Sequence, residues 1–142
     1  YAYFAGDKRD TLRYERFDPL FSGGLNEWLQ GISMAKVLSQ TNSHTQRIRF
    51  NVAPTARLNL TLDLFLRRAD VMNNLGANPA LSQLKIKELG QELSFTTRWA
   101  ISDNFYFLGI ASVARPGDAI RAITATPAKN WTTLQAQLFW TL

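Results

Sequence analysis

The sequence of 142 residues lacks cysteine and contains a single histidine. The absence of cysteine excludes disulfides, thiolate chemistry and cysteine-based zinc sites together. His44 has no cysteine or carboxylate cluster near it in the chain, so we expect a surface histidine rather than a metal ligand or a base. No Ser/His/Asp arrangement, phosphate-binding glycine loop or calcium-loop spacing is present. We therefore expect no enzyme activity, no cofactor and no bound metal.

The sequence also lacks a long apolar run, although 46% of its residues are hydrophobic. A membrane-spanning helix requires roughly 18 to 20 consecutive apolar residues, and no stretch approaches that length. If the protein meets a bilayer, it must do so as a β-barrel or from the surface. The mean hydropathy of -0.16 is compatible with a barrel, because barrel strands are apolar on one face only.

The basic residues exceed the acidic ones, and the formal net charge is +5. This excess indicates anionic partners. The positive charges are dispersed along the chain in pairs: Lys8–Arg9, Arg13 and Arg16, Arg47 and Arg49, Arg67–Arg68, Lys85 and Lys87. A nucleic-acid surface would cluster them more closely, so we expect no nucleic-acid partner.

The clearest pattern in the chain is the stretch Leu58–Arg67, in which every second residue is leucine. The intervening positions carry Asn59, Thr61, Asp63, Phe65 and Arg67. Strict alternation of this kind predicts a β-strand with one apolar and one polar face. Such a strand fits either a half-buried soluble sheet or a barrel wall in lipid.

Similar alternation predicts an all-β antiparallel chain of about six strands. The strands are expected near residues 1–5, 44–53, 58–69, 88–101, 104–114 and 131–142. Short turns at 54–57 and 102–104 alternate with long loops at 6–43, 70–87 and 115–130. Within the first loop, the three-four spacing of apolar residues in Asn26–Leu38 favours a short amphipathic helix over a strand, with Asn26 as a possible N-cap. Residues 105–114 are apolar on both faces, so the alternation does not assign their orientation.

Alternation of short turns with long loops is typical of outer-membrane barrels, whose short turns are periplasmic and whose long loops are extracellular. Six strands do not close around a lumen, because membrane barrels begin at about eight strands. We therefore expect residues 1–142 to be the C-terminal portion of a single larger barrel domain. The chain begins at Tyr1 in strand-like sequence without a methionine or signal peptide, so we expect an N-terminal part of that barrel upstream.

Several motifs, in order along the chain, resemble the alginate-export family of outer-membrane β-barrels. They are Tyr14-Glu15-Arg16-Phe17-Asp18-Pro19-Leu20-Phe21, Val52-Ala53-Pro54-Thr55, Leu89-Gly90-Gln91-Glu92-Leu93, Ile101-Ser102-Asp103-Asn104-Phe105 and Ala114-Arg115-Pro116-Gly117. The resemblance implies a Gram-negative outer-membrane barrel of roughly 18 strands that passes an anionic polysaccharide, or another anionic or polar solute, by diffusion. The expected partners are outer-membrane lipid, that solute, and the barrel-assembly machinery, which would read the C-terminal strand.

The candidate substrate pathway consists of charged residues on the polar strand faces, which are lumen-facing in a barrel: Arg47, Arg49, Arg67, Arg98, Asp63 and Glu92. Fixed guanidinium groups lower the barrier for anions and hydrogen-bond carboxylates in pairs. Pairing across the turn at 54–57 predicts that Asp63 lies opposite Arg47 or Arg49, and Glu92 is expected to meet another arginine. The same residues could instead form neutralised structural pairs in the wall.

Two further interpretations remain open at this point. A structural barrel could act as a sleeve or scaffold for a partner protein without an open pore, and inward-facing Leu108 or Ile110 would favour it. A soluble antiparallel sandwich would leave the arginines solvated. Against the sandwich stand aromatic residues near predicted strand ends, which are expected to form interface girdles: Trp99, Phe105, Tyr106, Trp131 and Trp140.

Overall fold

Six antiparallel strands form one sheet in which each strand pairs with the next along the chain. The computed structural model describes residues 1–8, 11–13, 15–16, 31–38, 41–72, 84–124 and 126–141. The strands are β1 (Ala2–Phe4), β2 (Ser43–Thr55), β3 (Leu58–Ala69), β4 (Glu88–Ala100), β5 (Phe105–Pro116) and β6 (Trp131–Trp140). The prediction of an antiparallel sheet of about six strands is confirmed. Within the described residues the sheet is open, with β1 and β6 at its two edges.

The alternation in β3 separates the two faces of the sheet. We call the side that carries Leu58, Leu60, Leu62, Leu64 and Leu66 the leucine face, and the opposite side the arginine face. Strand β2 adds Ile48, Phe50 and Val52 to the leucine face, because these residues stand opposite leucines in the register. Arg47 and Arg49 stand opposite Phe65 and Asp63 on the arginine face. The predicted separation of apolar and charged residues between the two faces is confirmed for β2 and β3.

The orientation of β5, which its sequence leaves open, follows from its register with β4. Leu108 pairs with Arg98, and Ile110 pairs with Thr96. Paired residues in an antiparallel sheet point to the same side. Leu108 and Ile110 therefore lie on the arginine face, whereas Phe107, Ala111 and Val113 lie on the leucine face.

The connections differ at the two ends of the sheet. Residues 56–57 join β2 to β3, and residues 101–104 join β4 to β5, at what we call the turn end. The three long connections lie at the opposite end, the loop end, as the alternation of short and long connections predicts. Two boundaries were predicted wrongly. Pro54 belongs to β2, and the expected loop 115–130 begins with strand residues up to Pro116 and then forms the helix α2 (Asp118–Arg121).

The first long connection contains the helix α1 (Ile32–Val37), which confirms the predicted short helix. Gly31 precedes it with a φ of 90°, and Asn26, the predicted N-cap, lies outside the described residues. The helix folds back onto the arginine face over β4, β5 and β6. There it joins the hydrophobic core, which lies at the loop end: Met34, Leu38, Ala69, Leu84, Leu89, Ala114, Ala119 and Ile120.

A bulge in β4 corrects the predicted orientation of Leu89. The period of two places Leu89 with Leu93, but the register shifts between Arg67 and Arg68, and Leu89 is fully buried in the core. Gly90 occupies this bulge with a φ of 140°, a backbone conformation that only glycine adopts without strain. A bulge reverses the side-chain alternation of its strand, so residues before Gly90 change face.

Two of the five aromatic residues expected in interface girdles lie elsewhere. Trp131 pairs with Ala114 on the arginine face and packs against the hydrophobic core. Tyr106 pairs with Ala100 and Phe139, which also places it on the arginine face. The girdle prediction is wrong for these two residues, because the alternation of side chains along β5 and β6 turns them to the arginine face. No helix in the described part of the chain is both long and apolar enough to cross a membrane.

Candidate functional site

The leucine face is exposed and apolar over most of the sheet. Its large side chains include Phe50, which is 67% exposed, and Leu134, which is 85% exposed. Most of the others are also exposed: Ile48, Val52, Leu62, Leu66, Leu93, Phe95, Val113 and Leu138. A continuous apolar surface of this size is uncommon on a monomeric soluble protein and marks contact with a membrane or another apolar partner.

Aromatic residues border this surface at both ends. At the turn end, the rings of Phe105 and Trp140 stack with their centroids 6.2 Å apart, and Trp99 lies on the same face. At the loop end, Tyr3 stacks on His44 with a centroid distance of 4.7 Å. The leucines between these borders span about 26 Å along β3 at roughly 3.3 Å per residue. That length suits the apolar band of a tilted membrane strand.

The arginine face carries a carboxylate held by two guanidinium groups. Oδ1 of Asp63 accepts hydrogen bonds of 2.8 Å from Nε of Arg47 and of 2.8 Å from Nε of Arg49. Oδ2 accepts bonds of 3.0 Å and 2.9 Å from the Nη2 atoms of the same residues. The predicted pairing is confirmed, and it includes both arginines rather than one. One carboxylate shared by two arginines leaves an excess positive charge.

This cluster lines a cleft of about 270 Å³ on the arginine face. The guanidinium of Arg47 also lies 5.3 Å from the centroid of the Phe65 ring, which fixes its orientation by a cation–π contact. Across the cleft from β2 stand Arg98 of β4 and two amide side chains of β6, Gln135 and Gln137. Three arginines and one aspartate therefore give the cleft a formal charge of +2. Its remaining lining residues are Ile32, Thr96, Leu108 and Ile110.

Glu92 has a different role from the predicted one. Its buried carboxylate accepts hydrogen bonds from the backbone N–H groups of Ile32 at 2.5 Å, Ser33 at 2.9 Å and Met34 at 2.7 Å. Ser94 Oγ donates a further bond of 2.7 Å. The first N–H groups of a helix have no partner within the helix, and a carboxylate satisfies them well. Glu92 thus anchors α1 to the sheet rather than lining the cleft, and the arginine that it meets is Arg67, with which it interacts electrostatically.

The structure also corrects the prediction for Arg67. It was predicted to line the substrate pathway, but its side chain is almost completely buried at the loop end. Its guanidinium donates to the carbonyl of Leu38 at 3.4 Å and to Ser43 Oγ at 3.2 Å, and it interacts electrostatically with Glu92. Arg67 and Glu92 therefore hold the covering segment, whereas Arg47, Arg49, Arg98 and Asp63 line the accessible cleft.

Sequence reasoning missed the residues that attach α1 to β5 and β6. Ser33 Oγ lies 2.6 Å from Ser112 Oγ and 2.8 Å from Thr133 Oγ1, so one hydroxyl of α1 bridges two strands. The alternation of β6 does place Thr133, Gln135 and Gln137 on one polar face, which could have indicated the cleft amides. Ser33 had no comparable signal, because its partners are distant in sequence.

A second polar cluster lies at the loop end, around Asp70. Burial by itself would raise the pKa of this carboxyl, but hydrogen bonds from the Gly6 N–H at 2.9 Å, from His44 at 3.0 Å and from Tyr3 at 3.1 Å together lower it. The hydroxyl of Tyr1 contacts Nδ1 of His44. Among the described residues, no group of three or more acidic or histidine side chains is placed to hold a metal ion.

Comparisons with known proteins add no assignment, since no protein-family model, curated protein or solved structure matches this chain. The candidate site therefore rests on its own geometry: a positively charged cleft on one face of a sheet whose other face is apolar.

Proposed function

We propose that this chain forms part of the wall of a Gram-negative outer-membrane β-barrel, a channel that passes an anionic or polar solute by passive diffusion. The observation that carries the proposal is the contrast between the two faces of the sheet. The leucine face is exposed and apolar between aromatic borders, and the arginine face carries the charged cleft. The wall of a membrane barrel, with one face towards lipid and the other towards the lumen, has this arrangement.

The open edges of the sheet fit a barrel that continues beyond the described strands. Strands β1 and β6 each have a single neighbour, and a strand edge in lipid must be paired. The remaining, N-terminal part of the barrel would complete these pairs and bring the total to roughly 18 strands, as the alginate-export resemblance implies. An alginate-like polysaccharide is one solute that the cleft charge suits.

Transport would depend on electrostatics rather than on bond chemistry. The excess positive charge of Arg47, Arg49 and Arg98 over Asp63 attracts an anion into the cleft. Gln135 and Gln137 provide neutral hydrogen-bonding groups on the opposite side. Because α1 covers the arginine face at the loop end, it narrows the passage beside the cleft. Diffusion then requires weak, multiple contacts rather than one tight site.

The test is a reversal-potential measurement on the complete barrel in a planar bilayer under a salt gradient. We expect anion preference, and Arg49→Glu should abolish most of it by reducing the formal charge of the cleft from +2 to zero. Arg115→Glu makes the same change of charge on the leucine face, where Arg115 pairs with Gln91, and should leave the preference unchanged. Cation preference in the native protein, or equal effects of the two variants, would contradict the proposal.

A second function has one observation in its favour. Leu108 and Ile110 lie on the arginine face, and Ile110 is buried, so the interior is partly apolar. Such an interior suits a structural barrel that surrounds a partner protein without an open pore. Conductance separates the two functions, since a sleeve would insert into the bilayer and pass no current.

A further inference from the structure

A groove at the loop end of the leucine face has a chemistry unlike the rest of that face. Two adjoining clefts, of about 350 and 450 Å³, share the side chains of Arg68 and Lys87. Tyr1 and His44 line the first cleft, and Leu66, Ile86 and Glu88 are among those lining the second. We call this surface the basic groove. It lies where the apolar surface ends, next to the Tyr3 and His44 rings.

The charges of the basic groove are available to a ligand. Arg68 is exposed and forms no ion pair with any described residue. Lys87 is held in place by a hydrogen bond of 2.6 Å from its Nζ to the carbonyl oxygen of Asp70. Glu88, opposite Arg68 in the register, is the one acid among the lining residues. Arg67 also lines the second cleft, but its side chain is buried, so the two accessible cations and one carboxylate leave the groove with a net positive charge.

The position of the groove decides what it can bind. Leu66 and Ile86 are 38% and 42% exposed, and they connect the two cations to the apolar surface below. An occupant must therefore carry a negative group beside Arg68 and Lys87 and an apolar chain along the leucine face. A guanidinium binds phosphate through two parallel hydrogen bonds, and an ammonium adds a point charge.

We propose that the basic groove binds the phosphate group of a lipid in the outer leaflet, with its acyl chains against Leu66 and Ile86. This inference rests on the proposed function, because it requires the leucine face to contact lipid. The loop end then lies at the level of the headgroups, where basic pockets bind anionic lipids. The bound lipid would tie the loop-end connections of β3 and β4 to the membrane surface.

The chain offers a matched control for this site. Arg115 is also a cation at the loop end of the leucine face, but its cleft is lined by Glu88, Asp118 and Arg121. Arg121 Nη1 lies 3.7 Å from Asp118 Oδ1. Two acids and two cations leave that cleft formally neutral, so it should bind an anionic lipid weakly.

The experiment measures lipid binding to the complete protein in detergent by native mass spectrometry. The probes are lipid A carrying its phosphates, the same lipid with its phosphates removed, and inorganic phosphate as a competitor. We expect phosphorylated lipid A to bind, and each of Arg68→Gln and Lys87→Gln to weaken it about fivefold. Arg115→Gln should not weaken it, and excess inorganic phosphate should not displace the lipid.

Three results would overturn the inference. Equal affinity for the two forms of lipid A would show that phosphate is not recognised. Unchanged binding by the Arg68 and Lys87 variants would show that the lipid binds outside the basic groove. Displacement by inorganic phosphate would show an anion site without a lipid requirement. The same preparations are tested for insertion into planar bilayers. Insertion without phosphate-dependent binding contradicts this inference alone, whereas failure to insert contradicts the proposed barrel as well.

Discussion

The attachment of α1 by Glu92 leads to the sharpest prediction. In Glu92→Gln, one carboxylate oxygen becomes an NH₂ group. Either Oε1 loses its bonds to Ile32 and Ser33, or Oε2 loses its bond to Met34. The second orientation loses fewer hydrogen bonds. It leaves the Met34 N–H facing the new NH₂ group, which is also a donor, and the remaining hydrogen bonds no longer have a charged acceptor. Hydrogen bonds to charged groups contribute about 1.5 to 3 kcal/mol each, so we expect α1 to lose about 3 kcal/mol of local stability.

The assay is amide hydrogen exchange, which reports local opening at individual residues. A loss of about 3 kcal/mol corresponds to roughly a hundredfold faster exchange at Ile32, Ser33 and Met34, if these amides exchange by local opening. Exchange in the middle of β3 should be unchanged, because α1 covers only part of the arginine face. Under the proposed channel function, single-channel conductance should rise in the same variant, since released α1 would no longer narrow the passage.

Glu88→Gln provides the control, because it makes the same chemical change four residues earlier in β4 at an exposed position. It should affect neither exchange in α1 nor conductance. Unchanged protection of Ile32 to Met34 in Glu92→Gln would refute the reasoning, since the three hydrogen bonds would then contribute nothing to holding the helix.

Further predictions concern the cleft, the bulge, the leucine face and the loop-end cluster. Asp63→Asn removes the charge shared by Arg47 and Arg49, so anion preference should increase in reversal-potential measurements while stability falls by about 2 kcal/mol in urea titrations. Gly90→Ala should destabilise the fold by about 1 to 3 kcal/mol, because its Cβ would lie 2.4 Å from the Arg115 carbonyl oxygen at a φ of 140°. Gly109→Ala is the control: its nearest contacts are in the Phe107 ring, so it should lower the free energy of unfolding by less in the same titration. Leu62→Arg should cost about 2 to 4 kcal/mol in lipid vesicles and far less if the leucine face meets water. Because the pKa of Asp70 is lowered, its bond to Gly6 should persist as pH falls to the ordinary carboxyl value of 3.8 and be lost only below it; a midpoint at or above 3.8 in the Gly6 amide shift would contradict this.

Much of the sheet was predictable because alternation is a local property of the chain. The period of two identified β2 and β3 and separated Asp63 from the leucines. Arg49 and Asp63 flank the same short turn in the sequence, and this proximity along the chain predicted their pairing. The alternation did not assign the orientation of β5, because both of its faces are apolar. Only its register with β4 placed Leu108 and Ile110 on the arginine face.

The sequence by itself determined the six strands, their two chemically different faces and the pairing around Asp63, because these depend on residues that are neighbours in the chain or across one turn. Tertiary structure decided the roles of Glu92, Arg67 and Ser33. Apart from Ser94, which is two residues from Glu92, their partners lie between 24 and 100 residues away. The contacts with α1 form only because the first long connection folds back onto the sheet. It also decided that Leu89 turns inward, since a bulge at Gly90 interrupts the alternation. Local periodicity predicted the short helix but carries no information about contacts formed by such a fold-back, so the cleft and the position of the helix beside it are decided only in the folded chain.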